Sequence, residues 1–197
     1  RLCYKFSMKI ENYEFKGELL PIVTYPDPVL SAVAAPVTVF DKDLEKLVRD
    51  MLFTMYHAPG IGLAAPQIGK SIRLFVMDVD YDREEVTNAA GKTEMRYSNF
   101  NPLVLINPVI KGSGDKILYE EGCLSVPGVY EEVKRFSHIT VDYQDLQGNK
   151  HSMEAEELMA ICLQHENDHL DGVVFIERLS NLKKQFYKKK LIKEKNG

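Results

Sequence analysis

The sequence QHENDHLDG, at residues 164–172, is the segment from which the fold and chemistry of this chain are interpreted. Two histidines four positions apart lie on the same face of a helix, so His165 and His169 can reach a single metal ion. Glu166 follows the first of them and can move protons at the same centre. The alternative is a polar helix end whose histidines face water. We interpret the segment as the metal-binding helix of a hydrolase.

A third protein ligand is needed, because a catalytic metal usually has three and keeps an open position for water. The metzincin pattern HExxHxxGxxH is followed as far as Gly172, but Phe175 stands where its last histidine belongs. That class is excluded. A thermolysin-like protease would use a carboxylate downstream, where Glu177 follows the helix too closely and Glu194 lies in a lysine-rich end. We therefore expect the third ligand to come from upstream.

The upstream candidate is Cys123, within EEGCLSVPG at residues 120–128. The surrounding glycines, serine and proline predict an irregular stretch that can bring a thiolate against the helix. A free cysteine is more often a small buried apolar residue, and that alternative stands for Cys123 taken alone. Together with the two histidines, we predict it as the third metal ligand.

A third segment, GIGLAAPQ at residues 60–67, adds to the segments at residues 120–128 and 164–172. The three stretches resemble the signature motifs of peptide deformylase, which have the form GφGφAAxQ, EGCLS and HExDH, with φ an apolar residue. They occur in the same order, and the chain is more similar to the bacterial type I form than to the Gram-positive type. The resemblance implies an α+β fold of mostly antiparallel sheets packed around a central metal-binding helix. A helix in the N-terminal half and a C-terminal helix complete it.

The resemblance also implies a reaction, the removal of the formyl group from the N-formylmethionine of nascent polypeptides. A metal held by the three ligands lowers the pKa of its bound water towards about 7, which supplies a hydroxide nucleophile at neutral pH. Glu166 is expected to take the water proton and later pass it to the leaving amine. The Gln67 amide, the Leu124 backbone N–H and the metal are implied as the groups that stabilise the oxyanion.

The methionine side chain of such a substrate needs an apolar pocket. Small residues let a peptide backbone come close, so Gly60 and Gly62 are predicted to bind the substrate. Ile61, Ile161 and Cys162 are predicted pocket residues by position, and ordinary core packing explains them equally well. Cys162 has a further interpretation as the fourth ligand of a closed structural site, because it lies one turn before the first metal-binding histidine.

The identity of the metal follows less directly. Two imidazoles and one thiolate accept zinc, iron, cobalt or nickel, since affinity order alone does not select the ion in a cell. The resemblance implies Fe²⁺ in the cell, with Zn²⁺, Ni²⁺ or Co²⁺ as substitutes. Two other functions remain open. One is a small zinc peptidase that cleaves internal bonds without needing Cys123, and the other is a non-enzymatic metal domain that binds the ribosome through its basic end.

The composition fits one cytoplasmic domain. With 197 residues, 45% hydrophobic and 27% charged, the chain is long enough for a single core, and we expect one domain over residues 1–197. An odd number of cysteines, three, does not suggest a disulfide framework, so a reducing compartment is expected. No apolar run approaches the ~20 residues of a membrane span, and the first residues lack the apolar part of a signal peptide. Residues 1–8 are expected to be a disordered or cloning-derived start, with Met8 as a candidate native start.

Charge is unevenly distributed along the chain. The net charge is −4, but residues 178–197 carry eight basic residues and one acidic residue, a balance of +7. We predict a basic helix over residues 180–195, with Leu182, Phe186 and Ile192 as a thin apolar stripe that docks on the body. A solvated helix face is the alternative. The resemblance implies ribosome binding near the peptide exit through this helix, by attraction to phosphate and without recognition of a nucleic-acid sequence.

Apolar spacing predicts the remaining elements. An amphipathic helix is expected from Asp41 to just before Pro59, and the metal-binding helix from about Ala155 to Leu170, with Gly172 as its terminator. Strands are expected at residues 71–79 and 103–110, and a hairpin from residue 138 through the turn DLQGN. Residues 80–102 are polar and are expected to form an inserted loop or hairpin.

Overall fold

The computed structural model describes residues 14–88 and 91–195. The expected start at residues 1–8 therefore lies outside the described residues. Over the described part, the chain combines α-helices with antiparallel strands, so the predicted α+β class is confirmed. No helix in that part is long and apolar enough to cross a membrane.

A five-stranded antiparallel sheet forms the body of the molecule. Its strands are β1 (Gly62–Ala64), β2 (Leu74–Met77), β5 (Leu103–Cys123), β6 (Val126–Gln144) and β7 (Lys150–Glu156), and a separate pair consists of β3 (Asp82–Thr87) and β4 (Thr93–Ser98). The spatial order of the large sheet is β1-β2-β5-β6-β7. The predicted strand around residue 75 and the hairpin after residue 138 are confirmed, the latter as β6 and β7 joined through the turn at residues 145–149.

Strands β5 and β6 form a long hairpin, which differs from the sequence prediction. The strand predicted at residues 103–110 continues to Cys123, and the expected irregular stretch is a strand end followed by a turn at residues 124–125. Glycines near Cys123 predicted an irregular stretch, but aromatic rings from β6 cover Gly112 and Gly122. A Cβ on Gly112 would lie 2.2 Å from the Phe136 ring, and one on Gly122 would lie 2.6 Å from Tyr130. Cross-strand packing therefore supports the extended strand, whose register with β6 shifts between Ser113 and Lys116 and again between Gly122 and Cys123.

Helix α1 (Lys42–His57) forms as its sequence predicts. The Asp41 carboxylate accepts hydrogen bonds from the backbone N–H groups of Asp43 and Leu44, at 3.1 and 3.0 Å, which caps the first turn. The apolar face is buried against the sheet. This face includes Leu44, Val48, Met51, Leu52 and Met55. The helix ends at His57. Pro59 follows, and the GIGLAAPQ motif begins at Gly60.

Helix α2 (Glu157–Leu170) lies at the centre of the fold, as predicted. Ala160, Leu163 and Leu170 are fully buried in one cluster with side chains of β2, β5 and β6. Gly172 follows the helix with a φ of +72°, and a Cβ there would lie 2.7 Å from the Ser31 carbonyl oxygen. Both the left-handed backbone and the close approach require glycine at this terminator.

The insertion at residues 80–102 contains the β3–β4 hairpin, so the hairpin alternative is correct and the loop alternative is wrong. Ala89 and Ala90 lie outside the described residues. Both strands are largely exposed, with alternating charged side chains and little apolar content. Their pairing is therefore carried mainly by backbone hydrogen bonds and cross-strand contacts.

Helix α3 (Asn181–Lys195) confirms the predicted basic helix, but it docks through a different face. The predicted stripe is exposed, with Leu182, Phe186 and Ile192 at 83%, 60% and 43% relative exposure. The helix packs instead through Leu191, which is 5% exposed, and through Tyr187 one turn earlier. Tyr187 and Leu191 share a helix face because they are four residues apart, and this face is rotated away from that of Leu182 and Phe186.

Candidate functional site

The three predicted metal ligands lie together. Cys123 ends strand β5, while His165 and His169 are one turn apart on helix α2. Among the described residues they form one group whose possible ligand atoms all lie within 4.8 Å of one another. The Cys123 Sγ is 3.3 Å from the His169 Nε2. A thiolate with two imidazoles leaves a tetrahedral position open, so the donor set fits a catalytic ion.

The two imidazoles have different environments. The His165 Nδ1 is 2.8 Å from the Glu121 Oε2, which leaves its Nε2 as the ligand atom. The His169 Nδ1 is buried and has no hydrogen-bond partner among residues 14–88 and 91–195. Burial, followed by the charges of His165 and Arg135, holds the pKa of His169 well below its usual value. The neutral imidazole is the form that binds metal.

Glu121 belongs to a buried chain of charges behind the predicted metal ligands. Burial alone would raise the pKa of Glu121, but hydrogen bonds from Arg135 and His165 outweigh it and lower that pKa to about 2. Arg135 donates to both Glu121 oxygens, at 2.6 and 2.9 Å, and to the Asp168 Oδ2 at 2.6 Å. Arg178 also pairs with Asp168. The network orients His165 through an ionised carboxylate.

Glu166 is buried beside the predicted metal ligands. It is 4% exposed, and its Oε2 finds no hydrogen-bond partner in the described part of the chain. Burial is the largest cause of the shift that raises the pKa of Glu166 to about 7. A Cβ on Gly62 would lie 2.3 Å from the Glu166 Oε1. Glycine at this position therefore makes room for the carboxylate, a reason that differs from the predicted approach of a substrate backbone.

Gln67 is held with its amide nitrogen towards the site. Its Oε1 accepts a hydrogen bond from the Ala64 N–H at 2.8 Å, which fixes the orientation of the amide group. The Nε2 then lies 3.2 Å from the Ser125 Oγ and 3.5 Å from the Cys123 Sγ. Leu124 occupies the turn between Cys123 and Ser125. Two groups that can donate to an oxyanion, the Gln67 amide and the Leu124 backbone N–H, thus flank the Cys123 sulfur.

A cavity of about 530 Å³ opens next to these groups. All five residues predicted to bind substrate line it, namely Gly60, Ile61, Gly62, Ile161 and Cys162. Sequence reasoning missed further lining residues, which include Tyr119, Val126, Val129, Tyr130 and Leu158. Leu158 could have been found, because it lies three residues before Ile161 on the same face of α2. The others come from the long hairpin, whose extent was not predicted.

The alternative metal ligands lie outside the group formed by Cys123, His165 and His169. Cys162 is outside the metal-binding group of the described chain, and its thiol donates to the Ile61 carbonyl at 3.6 Å. Burial raises the pKa of Cys162 well above its usual value, which disfavours a thiolate there. Glu177 pairs with lysines of α3, and Glu194 pairs with Lys190. A closed four-ligand site and a downstream carboxylate ligand both lack support.

Comparisons of the sequence with protein families and with known relatives point to one family. The family profile of polypeptide deformylase matches residues 19–185. The chain is 50% identical over 165 residues to the peptide deformylase of Rhizobium meliloti, which covers 83% of this chain and 87% of the relative. It is 48% identical over 178 residues to that of Zymomonas mobilis, with 90% and 95% covered.

Solved structures that are similar to this chain belong to the same family. A peptide deformylase from Legionella pneumophila superposes with a TM-score of 0.76 at 41% identity, over 90% of this chain and 96% of that one. A peptide deformylase from Ehrlichia chaffeensis in complex with actinonin gives 0.77 at 38% identity, over 91% and 99%. The chain therefore belongs to the peptide deformylase family.

Proposed function

We propose that this chain removes the formyl group from the N-terminal formylmethionine of nascent polypeptides, with Glu166 as the proton carrier. Deformylation of nascent peptides is the activity of the family, and it depends on a metal. The observation that carries the proposal is the buried Glu166 carboxylate, with one oxygen unpartnered in the described structure, next to the Cys123 sulfur and two imidazoles. Burying such a group without a partner is costly, which is typical of a functional site.

The metal and the side chains have different roles in the reaction. An ion held by Cys123, His165 and His169 supplies Lewis-acid polarisation of water and of the formyl oxygen when it is bound. Glu166 accepts a proton from the attacking water at its free Oε2. The water oxygen bonds to the formyl carbon, the carbon–nitrogen bond then breaks, and Glu166 returns the proton to the leaving amine. The products are formate and a peptide with a free N-terminus.

Gln67 and Leu124 stabilise the charge that develops on the formyl oxygen. The Gln67 Nε2 has a fixed direction because its amide oxygen is held by Ala64. Ser125, 3.2 Å away, accepts from the same nitrogen and limits its movement. Fixed donors of this kind contribute about 10²–10³-fold to a rate each.

The substrate lies in the 530 Å³ cavity, with the methionine side chain against Leu158, Ile161 and Cys162 on helix α2. Strand β1 supports this placement, since it is the outermost strand of the large sheet and has one paired edge. Its other edge is available to the backbone of an extended peptide, as in other complexes where a peptide adds to a sheet.

Ferrous iron is the proposed ion in the cell. A thiolate with two imidazoles accepts iron, zinc, nickel or cobalt, so the geometry alone does not select among them. Metal analysis of protein purified without oxygen tests the assignment. We expect about one iron per chain, and zinc alone under those conditions would contradict it.

The basic helix α3 is proposed to bind the ribosome near the peptide exit, and the enzyme is proposed to be cytoplasmic. Leu182 and Phe186 are exposed on it, and Lys189 and Lys193 extend the same surface. Changing both lysines to glutamate should weaken ribosome binding, with a larger effect at low salt. Lysine-to-glutamate changes at two surface positions remote from α3 are the control. An equal loss of ribosome binding in both proteins would contradict the proposal.

A single domain over residues 1–197 is also proposed. Core clusters combine residues from both halves, such as Leu30 with Leu191 and Ala34 with Leu170. One cooperative unfolding transition is the expected result, and two separate transitions would contradict it.

The function itself is tested with wild type and Glu166→Ala on a formyl-methionyl peptide, with metal content measured in both. The variant should keep its ion and lose turnover by about 10²-fold or more. Cleavage of internal peptide bonds would favour the zinc peptidase instead. Full metal content without any turnover in wild type would favour the non-enzymatic metal domain.

A further inference from the structure

Tyr81 connects the inserted hairpin to the wall of the cavity. It is the residue immediately before β3, and its hydroxyl donates to the Gly60 carbonyl oxygen at 3.1 Å. Gly60 lines the cavity, and a Cβ there would lie 2.9 Å from the Leu124 Cδ1. The hydrogen bond therefore reaches a backbone segment that lies between the insertion and the turn carrying Leu124.

The root of the hairpin is well anchored, so Tyr81 has a fixed base. Asp78 accepts hydrogen bonds from the Tyr56 hydroxyl and the Asn101 N–H, both at 2.7 Å. The Tyr81 ring packs edge-on against Tyr56, with 4.8 Å between the ring centres. The Asp78 N–H also donates to the Ile61 carbonyl at 2.9 Å. Both ends of the insertion thus meet beside residues 60–62.

The bond from Tyr81 fixes one peptide plane. The Gly60 carbonyl and the Ile61 N–H belong to the same planar trans peptide and point in opposite directions. With the carbonyl directed at Tyr81, the Ile61 N–H is directed away from it, and Ile61 lines the cavity. Loss of the Tyr81 hydrogen bond would free this plane to rotate and would turn the Ile61 N–H in the cavity wall to a new direction.

We propose that Tyr81 is a positioning residue for substrate binding, which holds the Gly60–Ile61 peptide in the orientation that a formyl-methionyl peptide requires. The inserted hairpin thereby supports the cavity wall as well as extending the surface. The proposal rests on the proposed function. Tyr81 acts through the backbone and is remote from the reacting atoms, so its loss should affect binding more than turnover.

The test compares Tyr81→Phe with Tyr97→Phe in the metal-loaded protein. Both changes remove one hydroxyl from the same aromatic cluster, where Tyr97 packs on Phe15. For Tyr81→Phe we expect KM for a formyl-methionyl tripeptide to rise about fivefold, the size typical of one neutral hydrogen bond. The value of kcat should stay within about twofold, with unchanged metal content and a melting temperature within about 4 °C of wild type. Hydrogen exchange of the amides at residues 60–62 should become faster.

Tyr97→Phe should change neither KM nor exchange at residues 60–62. An equal effect in both variants would mean general loosening of the cluster and would overturn the proposal, as would wild-type KM and exchange in Tyr81→Phe. If wild type fails to deformylate the peptide, the proposed function fails separately. Hydrogen exchange then decides the role of Tyr81, since faster exchange in Tyr81→Phe alone supports it and unchanged exchange refutes it.

Discussion

Replacing Arg135 with methionine removes the cation that holds two buried carboxylates in place. The Arg135 side chain is 3% exposed and donates three hydrogen bonds of 2.6 to 2.9 Å to Glu121 and Asp168. Breaking a buried pair by removing one partner costs about 3–5 kcal/mol, because a charge is left uncompensated. For a domain of this size, such a loss lowers the melting temperature by roughly 10 °C.

The same change should weaken metal binding. Glu121 orients His165, and loss of a partner behind a ligand typically costs about 10–100-fold in metal affinity. Thermal unfolding with and without a chelator, and competition with a chromogenic chelator, measure the two effects. Arg178→Met is the matched control, since Arg178 also pairs with Asp168 but is 44% exposed and should cost about 1 kcal/mol or less. Wild-type stability and metal affinity in Arg135→Met would show that Arg135 does not hold Glu121 and Asp168 in place.

Three other predictions follow from local geometry. Gly62→Ala places a Cβ where the Glu166 Oε1 is 2.3 Å away, so steady-state kinetics should show at least ~10²-fold slower turnover with metal content unchanged. Burial alone would raise the pKa of Asp50, but the Lys46 hydrogen bond and other contacts lower it below 3.8. The free energy of unfolding of Asp50→Asn, measured as a function of pH, should therefore be about 1 kcal/mol lower than that of wild type at pH 7. The difference should shrink as the pH falls below 3.8. Leu191→Ala should reduce the free energy of unfolding by about 2–3 kcal/mol in a denaturant titration while leaving kcat unchanged.

Local signals explain what the sequence predicted well. Helix α1 was predictable because its cap at Asp41 and its apolar spacing lie within one segment. The pair His165 and His169 was predictable for the same reason, since helix geometry alone brings them together. Cys123 needed the combination of three motifs, because nothing near it in sequence indicates that β5 ends beside α2.

Features that depend on distant partners were missed. The length of β5 depends on cross-strand rings such as Phe136, which lies 24 residues after Gly112 in the chain. Arg135 was not identified from the sequence, although it lies two residues from the buried Val133 on the same face of β6, and this alternation was the available signal. The docked face of α3 is selected by its contacts with the body, which its own apolar pattern does not reveal.

X-ray absorption spectroscopy of the metal-loaded protein measures the coordination of the proposed metal ion. We expect one sulfur and two imidazole nitrogens, with a metal–sulfur distance of about 2.3 Å if zinc is loaded. The sulfur should disappear from the spectrum of Cys123→Ser and remain in that of Cys162→Ser. A wild-type spectrum without sulfur, or a sulfur that persists in Cys123→Ser, would contradict the proposed site.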